Sequence, residues 1–304
     1  MSVSVVVASN RESTLLHACI ASLVPQCRAS GAQLIVVRAG ALQAEDAARV
    51  TGSGATLVRA PDAATIPILR GLGMQVATGD LVAVTEDHCL AAPDWLDSIR
   101  VGATDGVDVL GGGMDNAQRA RSVDWGAFFS EYGFFSSERP TSTEVPALLT
   151  GANVAYARTV SAAVASWAVA GEWENVIHNR LAHSGFVLRF APRAVILQNK
   201  TYAFGPFAVD RFEHGVDYAR TRLTVEGVGR RWIRLLLTPA LPWVLTARVA
   251  RAAASGRWLT FVFALPATFA FLAAWSLGEA VGYLRGPSRV GGAHSLPVTS
   301  DGSP

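Results

Sequence analysis

Three side chains that can bind a divalent metal ion stand together just after a short apolar run. Glu86, Asp87 and His88 follow the apolar residues 81–85, and a Pro-Asp-Trp-Leu segment comes soon after them. Carboxylate and imidazole groups are both ligands of divalent cations in proteins. The alternative interpretation is a polar turn that only closes a strand. The elements that position these three residues, and the motifs around them, bear on that choice.

Strand and helix patterns alternate over the first hundred residues. Apolar, largely β-branched runs predict buried strands at residues 3–9, 33–37, 55–58 and 81–85. Helical patterns lie between and after them, at residues 15–23, 42–50, 65–77 and 94–100. This alternation predicts an α/β fold with a doubly wound, mostly parallel sheet flanked by helices. Ligands of such sheets bind beyond the carboxyl ends of the strands, so Asn10, Arg11 and the Glu86–His88 group should share one edge.

The middle of the chain has a more mixed pattern. Residues 107–113 predict a strand that enters a Gly-rich turn, and residues 147–158 predict a strand, a turn and a second strand. The aromatic-rich residues 117–144 predict either a loop over a pocket or a small aromatic core. Residues 171–185 predict an amphipathic helix that ends at Gly185. Residues 186–198 predict two short strands.

Composition indicates contact with a membrane and gives no case for nucleic acid. The 304 residues are 50% hydrophobic and only 16% charged, which is too apolar for an ordinary soluble domain. The net charge of +2 gives no global attraction to nucleic acid. Three cysteines without CxxC spacing fit a reducing compartment. The first residues lack a signal peptide pattern, so we expect the first domain to stay in the cytoplasm.

The apolar excess is concentrated near the C-terminus. Residues 258–278 contain no charge and are long enough to cross a hydrocarbon core, although a buried hydrophobic helix is the alternative. The preceding apolar segment is interrupted by Pro239 and Pro242 and is followed by arginines, so we expect it to be interfacial or re-entrant. The predicted organisation is a catalytic domain at 1–228, membrane-associated or transmembrane helices at 229–285 and a disordered tail at 286–304.

Four segments in one order resemble the inverting GT-A glycosyltransferases of family 2, which use nucleotide sugars. They are VSVVVASNR, ILRGLGMQVATGDLVAVTEDHCLAAPDWL, LTGANVAYAR and GEWENVIHNRLAHSGFVLRFAPRAV. The resemblance covers roughly residues 2–220. It implies a GT-A fold, which is Rossmann-like, and transfer of a sugar from a nucleotide-diphosphate sugar. The membrane segment is similar to that of bacterial members that act on lipid-linked acceptors.

The resemblance also assigns roles to particular residues. Glu86 and His88 fall on the two acidic positions of the family's metal-binding motif, which implies bound Mn²⁺ or Mg²⁺. Arg180 and Leu181 fix the register that puts Glu174 on the catalytic base, with Glu172 as second choice. The implied donor-binding residues are Ser9, Asn10, Arg11, Arg70 and Asp87, and the implied acceptor-side residues are Gly151 and Asn153.

Two departures from the family pattern put the nucleotide in doubt. An Asp that usually reads the base at the end of the second strand is replaced by Arg38 or Ala39, and a His usually found later is replaced near Gln198. We therefore expect either a membrane-associated glycosyltransferase at the cytoplasmic side of the cell membrane, or a degenerate nucleotide-binding or scaffolding module. Residues 207–222 carry four basic side chains, which predict an interfacial helix or a solvated basic face.

Overall fold

The computed structural model describes residues 1–104, 106–138, 149–253 and 256–287. Within these ranges one mixed sheet has eight strands in the order β3-β2-β1-β4-β7-β6-β8-β5. The strands are β1 Val3–Ser9, β2 Gln33–Arg38, β3 Thr56–Arg59, β4 Leu81–Glu86, β5 Cys89–Ala91, β6 Val109–Asn116, β7 Asn153–Ala157 and β8 Leu188–Gln198.

Helices connect these strands and continue to the C-terminal region. They are α1 Ser13–Ser30, α2 Ala44–Gly52, α3 Ile66–Val76, α4 Trp95–Gly102, α5 Ser122–Tyr132, α6 Arg158–Val169, α7 Glu174–His183, α8 Phe204–Glu226, α9 Arg231–Leu237, α10 Leu241–Ala253 and α11 Trp258–Arg285. The four strands and four helices predicted in the first hundred residues are therefore present, with ends shifted by a few residues.

The sheet is parallel only in part, as its pairings show. β3, β2, β1 and β4 pair in parallel, whereas β7 runs antiparallel to β4 and β6. β6 pairs in parallel with β8, and β5 is antiparallel to β8. The predicted mostly parallel sheet flanked by helices is confirmed, and each antiparallel pairing among the described strands involves β5 or β7.

Two predictions for the middle segment need correction. Gly111, Gly112 and Gly113 lie inside β6 and do not form a turn. A Cβ at Gly112 would lie 2.3 Å from Asn153 Nδ2, so glycine is needed for this close approach. Residues 188–198 form one strand with a register irregularity opposite Gly112 and Gly113, where two strands were expected. The first strand predicted within residues 147–158 falls partly on residues outside the described ranges.

Alternating side chains of the buried strands supply two apolar cores, one on each face of the sheet. In β1, Val5 and Val7 belong to the cluster with α1, α4 and α5, while Val6 and Ala8 belong to the cluster with α3, α6 and α7. Burial on both faces explains why the strand sequence is apolar without a break. It also fixes the edge at which β1, β2 and β4 end.

The chain divides into two compact units. The first comprises Met1–Ala203 and Ala247–Thr268 and contains the sheet; the second comprises Phe204–Thr246 and the chain from Phe269 onward. Two helical stretches, Arg231–Ala253 and Trp258–Arg285, are long and apolar enough to cross a membrane, a test that a buried core helix also passes. The predicted division at residue 228 remains a prediction, and residues 288–304 of the predicted tail lie outside the described ranges.

Candidate active site

The carboxyl ends of β1 and β4 meet at one edge of the sheet, as expected for parallel neighbours. There the buried carboxylate of Asp87 accepts hydrogen bonds from the backbone N–H groups of Asn10, at 3.0 Å, and Arg11, at 2.8 Å. Burial of Asp87 would raise its pKa, but His88 and the Arg11 N–H hold that pKa below its ordinary value. Asp87 thus stays ionised and fixes the loop that follows β1.

Arg38 occupies the same edge, at the end of β2. Its Nη1 donates to Ser9 Oγ at 2.9 Å and to the backbone oxygen of Arg11, and it lies 3.9 Å from Asp87 Oδ2. The side chain is buried, and its Nε has no hydrogen-bond partner in the described part of the chain. Where the family pattern has an acid, this chain therefore has a buried cation that braces the loop after β1.

Arg70, in α3, joins two carboxylates to which the resemblance assigns different roles. Its Nη2 lies 2.6 Å from Glu86 Oε1 at the end of β4, and its Nη1 lies 2.8 Å from Glu174 Oε2 at the start of α7. Burial opposes the charge of the guanidinium, but Glu174 and Glu86 raise the pKa of Arg70 above its ordinary value. The three side chains form a carboxylate–guanidinium–carboxylate bridge, which we call the Arg70 bridge.

Gly151 allows the Arg70 bridge to form. A Cβ at this position would lie 2.1 Å from Arg70 Nη1, so any larger residue would displace the guanidinium. The Gly151 N–H also faces Glu174 Oε1 at 3.4 Å. Asn153, the other predicted acceptor-side residue, is fully buried and bonds to Gly113, Ala194 and Trp95. Gly151 thus lies beside the predicted base, whereas the observed partners of Asn153 tie the sheet together.

The two candidate bases lie differently from the expectation. The helix was expected over residues 171–185, but α7 begins at Glu174, so Glu172 precedes the helix. Both residues line one cleft, with Arg70 and Tyr156. Glu172 pairs with Arg180 at 2.8 Å and is partly exposed. Burial raises the pKa of Glu174, but the Arg70 charge and hydrogen bonds bring it below its ordinary value, so Glu174 is ionised at neutral pH.

Two atoms at the end of β4 fit a divalent cation. His88 Nδ1 lies 3.6 Å from Glu86 Oε2, and it is buried without a hydrogen-bond partner in the described ranges. An imidazole nitrogen and a carboxylate oxygen at that separation suit adjacent ligands of one Mn²⁺ ion. Among the described residues, no group of three His, Cys, Asp or Glu side chains could hold a metal ion. Other ligands would have to come from substrate oxygens or water.

Sequence reasoning gave no role to His178, which lies one helical turn after Glu174. Its Nε2 lies 2.9 Å from the Tyr156 hydroxyl, and both side chains are buried. Burial lowers the pKa of His178 to about 4, so the imidazole is neutral at pH 7. The spacing of four residues from Glu174 was the available signal, because it places both side chains on one face of α7.

Gln198, at the second departure from the family pattern, lies next to the His88 segment. It pairs with Cys89 across β5 and β8, and the Asn199 N–H donates to the His88 oxygen at 2.7 Å. The Gln198 amide donates to Glu131 at 3.3 Å, while its Oε1 is buried without a partner among the described residues. The sequence pointed to this position only through the missing histidine.

The sheet order, the mixed second half and the edge at the end of β4 define a GT-A fold of the type found in nucleotide-sugar glycosyltransferases. The structure is similar to a mannosyltransferase from Pyrobaculum calidifontis, which was solved with GDP-Man and Mn²⁺. The TM-score is 0.57 and the identity is 17%, over 93% of this chain and 86% of that one. At this identity the likeness shows a shared fold.

Two further similar structures are also glycosyltransferases. Mannosyl-3-phosphoglycerate synthase from Rubrobacter xylanophilus matches with a TM-score of 0.49 and 16% identity, over 75% of each chain. Glucosyl-3-phosphoglycerate synthase from Mycobacterium tuberculosis matches with a TM-score of 0.44 and 13% identity, over 68% of this chain and 74% of that one. No protein-family model and no curated protein matches the sequence.

Proposed function

We propose that the protein is an inverting glycosyltransferase that moves a sugar from a nucleotide-diphosphate sugar to an acceptor near a membrane. The observation that carries the proposal is the Arg70 bridge. It connects the candidate metal ligand Glu86 to the candidate base Glu174, two residues that are distant in sequence and close in the fold. A similar fold in a mannosyltransferase solved with GDP-Man and Mn²⁺ supports the same reaction class.

The proposed reaction needs one carboxylate as a base. Glu174 Oε2 is held by Arg70, which leaves Oε1 to take the proton of an acceptor hydroxyl. The hydroxyl oxygen bonds to the anomeric carbon as the bond from that carbon to the diphosphate oxygen breaks. The electron pair of the broken bond leaves with the nucleoside diphosphate, and the configuration at the anomeric carbon inverts.

The departing diphosphate gathers negative charge, which the site must neutralise. Glu86 and His88 would hold a divalent cation, Mn²⁺ or Mg²⁺, that supplies this charge neutralisation. The His88 nitrogen favours Mn²⁺, because Mg²⁺ prefers shells made only of oxygen. Arg70 lies between Glu86 and Glu174 and offsets their charge in the region that the diphosphate is proposed to enter. Ser9, Asn10 and Arg11 border this edge and are proposed to contact the donor.

A screen of purified protein against a panel of nucleotide sugars with Mn²⁺ tests the proposal. We expect release of nucleoside diphosphate from one donor, and a loss of about 10²–10⁴ in kcat for Glu174→Gln with donor affinity nearly unchanged. Glu172→Gln is the matched control, because it removes a carboxylate from the same cleft while its partner is Arg180. A larger loss for Glu172→Gln would show that the base is assigned to the wrong residue.

The second candidate function is a nucleotide-binding or scaffolding module without turnover. Arg38 favours it, because a buried cation stands where the family pattern has an acid that reads the base. Nucleotide binding by calorimetry without release of diphosphate from any donor would support this candidate. In either case we propose that the chain acts at the cytoplasmic side of the cell membrane, held there by residues 229–285, and that its acceptor is lipid-linked or a polysaccharide.

A further inference from the structure

A cluster of large apolar side chains is exposed on α9 and the start of α10, within the second compact unit. Trp232 is 66% exposed, Leu236 is 81% exposed and Trp243 is 68% exposed. We call the cluster the tryptophan face; its other exposed members are Ile233, Leu237 and Val244. Apolar side chains concentrated in this way mark a surface that docks against something.

The charge around the tryptophan face indicates which kind of surface it meets. The sequence from Gly227 to Gly278 contains six arginines and no Asp or Glu. Arg234 pairs with Glu226 and Arg257 with Asp115, whereas Arg230, Arg248 and Arg251 are exposed. Arg230 is exposed immediately before α9, two residues from Trp232. Basic side chains attract anionic lipid headgroups, and tryptophan suits the boundary between headgroups and acyl chains. This combination of charge and aromatic side chains fits an anionic lipid surface.

The linker between the two apolar helices is fastened to the sheet-containing unit. Arg257 Nη2 lies 2.8 Å from Asp115 Oδ2 at the end of β6, and its Nε lies 3.1 Å from Glu138 Oε1. If Arg231–Ala253 and Trp258–Arg285 both crossed a bilayer, this linker would lie on the side opposite the sheet. The two ion pairs are therefore incompatible with a hairpin of two spans.

The first part of α11 is packed against the sheet-containing unit. A Cβ added to Gly126 in α5 would lie 2.5 Å from the Ala267 Cβ, so the two helices touch there. The Phe261 ring lies 5.5 Å from the Phe129 ring. The side of this part of α11 that faces α5 therefore contacts protein and not lipid.

The second part of α11 is packed against α8 inside the second unit. A Cβ on Gly278 would lie 2.0 Å from the Phe212 oxygen, and one on Gly282 would lie 2.5 Å from the Val216 oxygen. α8 also carries acidic side chains, Asp210, Glu213 and Asp217. If α11 spanned a bilayer, α8 would take these charges into hydrocarbon, which is costly.

We infer that the tryptophan face lies in the plane of an anionic lipid surface and that neither apolar helix crosses the bilayer. This inference deepens the membrane part of the proposed function by naming the attachment surface and its partner. It does not depend on which sugar is transferred. Loss of vesicle binding and loss of donor turnover are separate measurements, so failure of one proposal is distinguishable from failure of the other.

Flotation of the full chain with lipid vesicles tests the docking surface. We expect binding to phosphatidylcholine vesicles that contain phosphatidylglycerol, and weaker binding to phosphatidylcholine alone. Trp232→Ser and Leu236→Ser should each weaken binding by about tenfold, because each removes a large apolar side chain from the contact. Arg230→Gln should weaken binding to the anionic vesicles by roughly fivefold and leave binding to neutral vesicles unchanged.

Val101→Ser is the matched control, because Val101 is a 77% exposed apolar residue of α4, outside the tryptophan face. It should bind vesicles as the unmodified chain does. Equal vesicle binding by the Trp232→Ser variant would overturn the inference. So would a stable dimer in sedimentation experiments that the same variant dissociates, because the face would then meet a second copy of the chain.

Cysteine reporters test whether either helix crosses. The native cysteines are buried, so exposed reporters at Asp62→Cys, Arg251→Cys and Arg285→Cys can be labelled by a membrane-impermeant maleimide in sealed vesicles. We expect all three to be labelled from the same side. Labelling of Arg251→Cys from the opposite side would show that the first helix crosses. Labelling of Arg285→Cys alone from the opposite side would show one span, and either result overturns the inference.

Discussion

Replacement of Arg70 by methionine tests how much the Arg70 bridge contributes to the free energy of unfolding. The variant keeps a long unbranched side chain but removes the only charge that contacts both Glu86 and Glu174 among the described residues. One buried carboxylate and one partly buried carboxylate would then lie close together without their cation. We expect this change to lower the free energy of unfolding far more than the loss of an ordinary surface ion pair.

The size of the effect follows from burial. The side chains of Arg70 and Glu86 are each 9% exposed and that of Glu174 is 24% exposed. Removing one partner from a buried pair costs about 3–5 kcal/mol, and the partial exposure of Glu174 places the expected loss near the lower end, at about 3 kcal/mol. The Arg180–Glu172 pair has the same 2.8 Å contact but is 38% and 29% exposed, so Arg180→Met should cost about 1 kcal/mol or less.

Urea unfolding at pH 7 with a chelator present measures both variants without a contribution from bound metal. In the double variant Arg70→Met/Glu174→Gln, one unpaired carboxylate is also removed. Its destabilisation should therefore be smaller than the sum of the two single losses by about 1–3 kcal/mol. Equal losses for Arg70→Met and Arg180→Met, or strict additivity in the double variant, would refute the reasoning.

Three further predictions concern the same edge. The pKa of Glu174 is lowered in the folded state, so its stabilising contribution is present above its unfolded pKa and lost as the pH falls through the lower folded value. The cost of Arg70→Met should accordingly shrink only as the pH falls below the ordinary glutamate pKa of 4.5, in urea titrations extended to about pH 3. His88→Ala should weaken Mn²⁺ binding by at least about tenfold in calorimetry, whereas His17→Ala, which removes a histidine paired with Asp46, should leave it unchanged. Gly151→Ala should cost about 1–3 kcal/mol by displacing Arg70, while Gly205→Ala, where a Cβ meets no atom within 4 Å, should change stability by less than about 0.5 kcal/mol.

The first half of the fold could be predicted from sequence because its signals are local and strong. Buried parallel strands are continuous apolar runs, and the helices between them repeat at a period that a single sequence displays. The second half depends on pairing between distant segments. β5 has three residues and exists because Cys89–Ala91 pairs with β8, and the glycines of β6 resemble a turn until their contact with Asn153 is known.

The candidate site shows the same division: sequence motifs identify candidate residues, and only the folded structure shows which of their side chains are in contact. The order of the motifs identified Glu86, His88, Arg70 and Glu174 as candidate site residues. It assigned each of them a role of its own and predicted no contact among them. Their electrostatics depend on which side chains meet, and the sequence holds no sign that one guanidinium contacts both carboxylates. Glu172 illustrates the same limit, because the predicted helix included it and the observed helix begins at Glu174.

The C-terminal helices show why hydropathy alone is a weaker indicator of a membrane span than packing is. A run of 21 uncharged residues is long enough for a membrane span. Arg257, just before that run, forms an ion pair with Asp115. At the other end, Gly278 and Gly282 allow α11 to pack closely against the backbone of α8. The same arginine-rich, acid-free stretch leaves its tryptophans on the surface. We propose that the apolar side chains that stay exposed, and not those buried against protein, provide the attachment. Under this proposal the exposure of particular side chains, more than the mean hydropathy of a segment, determines where the chain would meet lipid.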